Sequence, residues 1–218
     1  MDERKNPYAP GAGTQPPELA GRDAIIEAAS VALDRIRGGL SARSFVFYGL
    51  RGVGKTVLLN HIVIAAEQRG HTCVAIEAPE NRSLPALLIP ALRSTLIQLS
   101  TKERTRAAAK SALRVLAGFL KAIKVKYGDI EASIDVEPES GIADSGDLTI
   151  DLTALMAELG KLTKDSGSSI VLAIDELQYI AEKEVEEAVT KAHAKSGTVI
   201  VLDPQTGAVL ALAISPRF

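Results

Sequence analysis

Apolar positions recur along this chain with two periods, one near 3.6 residues and one near 2, and the alternation between them predicts the order of elements. Ile25, Ile26, Ala29, Leu33 and Ile36 outline a helix that stops at Gly38-Gly39. Ser44 to Tyr48 is a β-branched and aromatic run, and Val57, Leu58, His61, Ile62 and Ala65 resume the helical spacing after it. Thr72 to Ala78 predicts a second strand behind the Gly70 helix stop. Ser83 to Leu99, with Pro85 in its first turn, and Lys102 to Lys126 are helical patterns, as is Leu152 to Lys164, ending around Gly167. Ser169 to Ile174 is short and apolar enough for a strand buried on both faces. A helix follows from Leu177 to about Lys195. Thr198 to Leu202 and Ala208 to Ile214, separated by a short turn ending in Gly207, then predict an antiparallel hairpin. Strands alternating with helices imply an α/β fold, a three-layer core on a mainly parallel sheet with a C-terminal β-hairpin.

Composition narrows the classes. With 218 residues and 46% apolar content, the chain suits one domain or one domain plus a fragment. Met1 to Pro17 is Pro/Gly-rich and polar, which predicts a disordered lead-in. A net charge of −2 supplies no overall electrostatic case for nucleic acid. The cations from Lys102 to Lys126 predict a solvated helix face, with a local basic patch left open. The acids from Gly128 to Asp151 predict a loop with a weak strand-like alternation, and lack the alternating spacing of a Ca²⁺ loop. Cys73 sits in an apolar run, as a small buried hydrophobe would. His61, His71 and His193 lack metal-ligand spacing and predict helix or surface positions. The first residues lack the apolar core of a signal peptide, and no apolar run has spanning length, so a soluble cytoplasmic protein with no membrane partner is expected.

The chemistry concentrates in two places. Gly49, Leu50, Arg51, Gly52, Val53, Gly54, Lys55 and Thr56 spell G-x-x-x-x-G-K-[ST] between a strand pattern and a helix pattern, followed by Val57. Glycines let the backbone turn its N–H groups onto phosphate oxygens. Lys55 offers a charge to the β and γ phosphates, Thr56 a hydroxyl to Mg²⁺, and the helix its positive end. Farther on, the strand run at 169–174 delivers Asp175 and Glu176 at its carboxyl end. Consecutive strand residues point opposite ways, so Asp175 can hold Mg²⁺ through water while Glu176 orients and deprotonates an attacking water. Asp175 also fits a solvated helix cap.

Leu19 to Tyr179 resembles an ATP-binding domain of the AAA or STAND type, close to actinobacterial AAA family ATPases. Leu19-Ala20-Gly21-Arg22, Phe47 to Thr56 and Ile174 to Gln178 carry the likeness. The resemblance implies ATP and Mg²⁺ as ligands, Lys55 and Glu176 in catalysis, Thr56 and Asp175 at the metal, and Gly21 and Arg22 against adenine and ribose. It implies an ATP-binding domain over 18–180, whose nucleotide state is coupled to a protein partner or to self-association. It also implies that the strand after Asp175-Glu176 inserts between that strand and the one before the glycine-rich loop. The tail opposes this, because Thr198 to Leu202 cannot both fill that slot and form a hairpin. Gln178 to Phe218 resembles instead the opening of a penicillin-binding protein transpeptidase domain, so 181–218 is expected to be a fused helix and hairpin. Its nucleophile motif, Ser-x-x-Lys, does not occur in the sequence. ATP turnover, nucleotide binding without turnover, and a recombined product without activity of its own remain open.

Overall fold

In the computed structural model of the chain, the described residues are 19, 21–50, 52–80, 82–125, 130–164, 168–202 and 209–215. The expected lead-in at 1–17, the loop residue Arg51 and the hairpin turn at 203–207 lie outside them. The elements run α1 (Asp23–Arg37), α2 (Lys55–Gln68), β1 (Thr72–Glu77), α3 (Leu84–Thr101), α4 (Arg106–Lys124), α5 (Leu148–Lys164), β2 (Ile170–Asp175), α6 (Leu177–Lys191), β3 (Gly197–Leu202) and β4 (Val209–Ser215).

β1 and β2 pair in parallel, Thr72 opposite Ile170 through Glu77 opposite Asp175. This pair is the small parallel sheet of a mixed helix and strand fold, and the long stretch between its strands carries α3, α4 and α5. α2 packs against both strands, α3 against β1 and α5 against β2. The core lies where α3, α4 and α5 meet, around Leu88, Ile89, Leu92, Leu96, Leu116, Phe119, Ile123, Leu155 and Leu162. Each large side chain buried there stabilises the fold by roughly 1.5–3 kcal/mol.

Local chemistry sets the helix boundaries. The Ser83 hydroxyl accepts from Ala86 N–H at 3.4 Å at the head of α3, where Pro85 occupies the first turn. Asp147 Oδ1 accepts from Thr149 and Ile150 N–H and starts α5 four residues before the apolar pattern does. The acidic stretch before α5 is irregular from Ile130 to Asp147, and its strand-like alternation forms no strand there. It is organised by Asp151, fully buried, whose carboxylate accepts from Ser145 N–H (2.9 Å), Ser145 hydroxyl (2.7 Å) and Gly146 N–H (2.8 Å). The stretch crosses α4 at Gly118, where Glu139 N–H donates to the Arg114 carbonyl at 3.0 Å.

Two expectations are corrected. Ser44 to Tyr48 is not a strand: it carries no ladder, and Phe45, Val46 and Tyr48 are exposed. A strand exists only through its partner, and the run that the family resemblance would place beside it, Thr198 to Leu202, pairs antiparallel with β4, apart from the parallel sheet. For the same reason β2 is not buried on both faces, since Ala173 is its fully buried residue and Leu172 is exposed. The hairpin itself follows the expectation, with a register shift between Val201 and Leu202.

Candidate functional site

The glycine-rich loop follows directly from Ser44 to Tyr48. Gly49, Gly52 and Gly54 have φ of 147°, 84° and 82°, angles at which a side chain would be strained. They fold the loop around Lys55, whose Nζ donates to the carbonyls of Gly49 (3.1 Å) and Leu50 (3.0 Å). Gly54 is the N-cap of α2, so Lys55, Thr56 and Val57 form its first turn and their N–H groups lack helical acceptors. At the head of α1, Gly21 has φ 73°, and Arg22 N–H donates to the Leu19 carbonyl at 3.2 Å. The Arg22 guanidinium reaches across and donates to the Val53 carbonyl at 2.9 Å. A shallow cavity of about 140 Å³ lies between, lined by Arg22, Ile25, Val46, Phe47, Tyr48, Val53, Lys55 and Leu58. The motif identified the loop but not Ile25 or the aromatic wall of Phe47 and Tyr48, which have no fixed sequence spacing.

Asp175 ends β2 and its backbone carbonyl accepts from Ala78 N–H at 3.1 Å. Its Oδ1 accepts from Glu176 N–H at 3.0 Å. Glu176 is the N-cap of α6 in the left-handed region, φ 54°, which costs a non-glycine residue about 1–2 kcal/mol. Its carboxylate accepts from the Gln178 amide. The expected alternation of two strand residues is thus replaced by a sharp turn, which separates the two carboxylates by backbone geometry.

The loop and the acid pair belong to the same end of the sheet. The C-terminus of α2 leads through Gly70 and His71 into β1, and His71 Nδ1 lies 2.6 Å from the Ser169 hydroxyl just before β2. α2 runs back along both strands. Its 14 residues span about 21 Å and the six of each strand about 20 Å, so Lys55 and Thr56 return to the level at which β2 delivers Asp175. Among the described residues, no hydrogen bond or ion pair joins Lys55 or Thr56 to Asp175 or Glu176, and no cluster of three or more His, Cys, Asp or Glu gathers in ligand geometry.

At the opposite end, His71 is neither a helix nor a surface residue as expected. It is 5% exposed, its Nε2 lacks a partner, and its pKa is lowered by burial first, then by Arg37, against the opposing pull of Asp34, and by Arg69. Cys73 is half-buried, and burial together with Glu67 pushes its thiol up to about 11.

A glycine-rich turn at a helix head and an acid-terminated parallel strand are compatible with a nucleotide-binding α/β fold. The family model for the AAA ATPase domain matches residues 18–191, and the chain belongs to that family. The family is one of nucleotide-binding ATPases. Among curated proteins, the chain is 44% identical over 54 residues to the probable peptidoglycan D,D-transpeptidase PenA of Neisseria gonorrhoeae, covering 24% of this chain and 9% of that protein. It is 41% identical over 59 residues to the peptidoglycan D,D-transpeptidase FtsI homolog of Mesostigma viride, covering 27% of this chain and 10% of that one. The chain thus spans about a tenth of the length of these relatives. No solved structure matches it. No helix among the described residues is long and apolar enough to cross a membrane.

Proposed function

We propose that this chain binds Mg-ATP at the loop from Gly49 to Thr56 and hydrolyses it with Asp175 and Glu176, in a domain covering 18–180 that precedes a separate helix and hairpin unit at 181–218. The observation that carries the proposal is the loop conformation: three glycines at positive φ curl Gly49 to Gly54 around the Lys55 ammonium at the head of α2. Phosphate oxygens would replace the two carbonyls at Nζ, and the first-turn N–H groups of α2 would receive the same anion, with Leu50, Arg51 and Val57 flanking. Ile25, Phe47 and Tyr48 offer a base an apolar wall, and Arg22, tied to Val53, would hold the loop and reach the ribose.

Thr56 and Asp175 would hold Mg²⁺. When bound, the ion neutralises charge on the phosphates. Asp175 Oδ1 is engaged by Glu176 N–H, and its other oxygen accepts no hydrogen bond among the described residues. Glu176, steered by Gln178, would orient a water and take its proton. Nucleotide state would then be passed to a protein partner or to a second copy. The family membership supports nucleotide binding.

One observation favours a second reading, binding without turnover. Among the described residues Ser44 to Tyr48 has no ladder, so the loop is held by α2 and by the Arg22 to Val53 hydrogen bond and not by a strand, and transition-state contacts need tighter positioning than binding does. ATP binding and turnover measured for wild type, Lys55→Ala and Glu176→Gln separate the two. Hydrolysis predicts loss of binding in the first variant, and binding without turnover in the second. Turnover unchanged by Glu176→Gln leaves the binding module, while no melting shift at a hundredfold excess of Mg-ATP over Kd, where about 2.7 kcal/mol is expected, sinks both. Peptidoglycan chemistry is not proposed, since Ser-x-x-Lys is not in the sequence.

A further inference from the structure

α4 has one apolar face and one face rich in cations. Ala109, Ala112, Leu113, Val115, Leu116, Phe119, Leu120 and Ile123 are buried against α3 and α5. Arg106, Lys110, Arg114, Lys121 and Lys124 are exposed, and the helix contains no acidic residue. At 100° per residue these five cations fall within an arc of about 80° over about 27 Å, in two groups, Arg106, Lys110 and Arg114, then Lys121 and Lys124, divided where Ala117 and Gly118 are buried and the segment at Glu139 crosses the helix.

Such an arrangement carries an internal cost. Arg106 and Lys110, Lys110 and Arg114, and Lys121 and Lys124 stand three or four residues apart, where like charges repel. The acidic segment beside it does little to relieve them. Among the described residues, Glu139 pairs with Arg114 at 3.3 Å and Lys124 reaches the Ala132 carbonyl at 3.4 Å, while Glu131, Asp135 and Glu137 are exposed and pair with no residue of α4.

We propose that this cationic face is a sequence-independent docking surface for the phosphodiester backbone of a nucleic acid. Two groups of long, flexible cations aligned along one helix match phosphates spaced along a backbone, and neutralising them releases condensed counterions. The exposed residues interleaved with the cations are Ala107 and Ser111, with no aromatic, Asn or Gln to read or stack a base, so the surface recognises charge and not sequence. A membrane surface is disfavoured because the apolar face that would enter it is committed to the core. The neighbouring carboxylates weaken the attraction and set its strength. This surface lies on α4 and does not depend on the nucleotide reading.

The test is fluorescence anisotropy of a labelled duplex of arbitrary sequence, titrated with the full chain across a range of salt. Four unpaired cations predict a log K against log salt slope of roughly −4. Lys110→Glu with Lys121→Glu, both on the exposed face, should weaken binding by at least about tenfold with unchanged helical circular dichroism. Asp135→Asn with Glu137→Gln should strengthen it, and Lys55→Ala should bind as wild type. A slope near zero, charge reversal without effect, loss of binding in Lys55→Ala, or tighter binding to anionic phospholipid vesicles than to DNA would each overturn the proposal.

Discussion

Two glycines stand inside long helices, Gly118 in α4 and Gly160 in α5, and alanine should act on them with opposite signs. A helix interior favours alanine over glycine by about 0.5–1 kcal/mol, through backbone entropy alone. At Gly160 a Cβ meets nothing within 4 Å, so Gly160→Ala should gain that amount. At Gly118 the Cβ would stand 2.6 Å from the Glu139 carbonyl oxygen, and that oxygen is backbone, fixed nearby by the Glu139 N–H to Arg114 carbonyl bond at 3.0 Å. The clash needs about 1 Å of movement. Either the crossing segment lifts from α4 or the helix shifts against α3, and overpacking of this kind costs about 1–3 kcal/mol. Net of the propensity gain, Gly118→Ala should destabilise by about 0.5–2 kcal/mol. Urea unfolding followed by circular dichroism, with m held common, reads both. If Gly118→Ala raises the midpoint as Gly160→Ala does, the acidic segment does not lie against α4 as described.

Asp151→Asn should cost about 2–4 kcal/mol, because an amide nitrogen would face the Gly146 N–H in a fully buried site; the same urea midpoint checks it, and a change under about 0.5 kcal/mol would refute the knot around Asp151. His71 is held below its ordinary range, so between that lowered value and about 6.5 the unfolded chain binds a proton that the folded chain does not. Its contribution is therefore full above about 6.5 and lost as pH falls through the lowered value. His71→Gln should flatten the decline of stability on acidification in that window, measured by melting temperature against pH, and an unchanged slope would count against it.

The order of elements was legible because each helix repeats apolar residues over several turns and each boundary carries its own signal, as Gly38-Gly39, Gly70 and Ser83-Leu84-Pro85 do. The glycine-rich loop was legible for the same reason: positive φ and a following helix are local requirements, written in consecutive residues. Asp175-Glu176 was legible as a strand end but not in form, since the turn that puts Glu176 at φ 54° is a property of the β2 to α6 junction.

What the sequence could not decide was partnership. Ser44 to Tyr48 has every local mark of a strand, yet a ladder needs a neighbour, and Thr198 to Leu202 is taken by β4. Asp151 looked like one acid among many in a loop, until tertiary contact buried it under three donors. His71 looked like a surface residue, and the crossing of α2 with the start of β2 buried it. Propensity and phosphate chemistry act between neighbours in the chain, so the sequence alone determined the helices and the loop. Pairing and burial act between segments a hundred residues apart, and only the tertiary structure decided those.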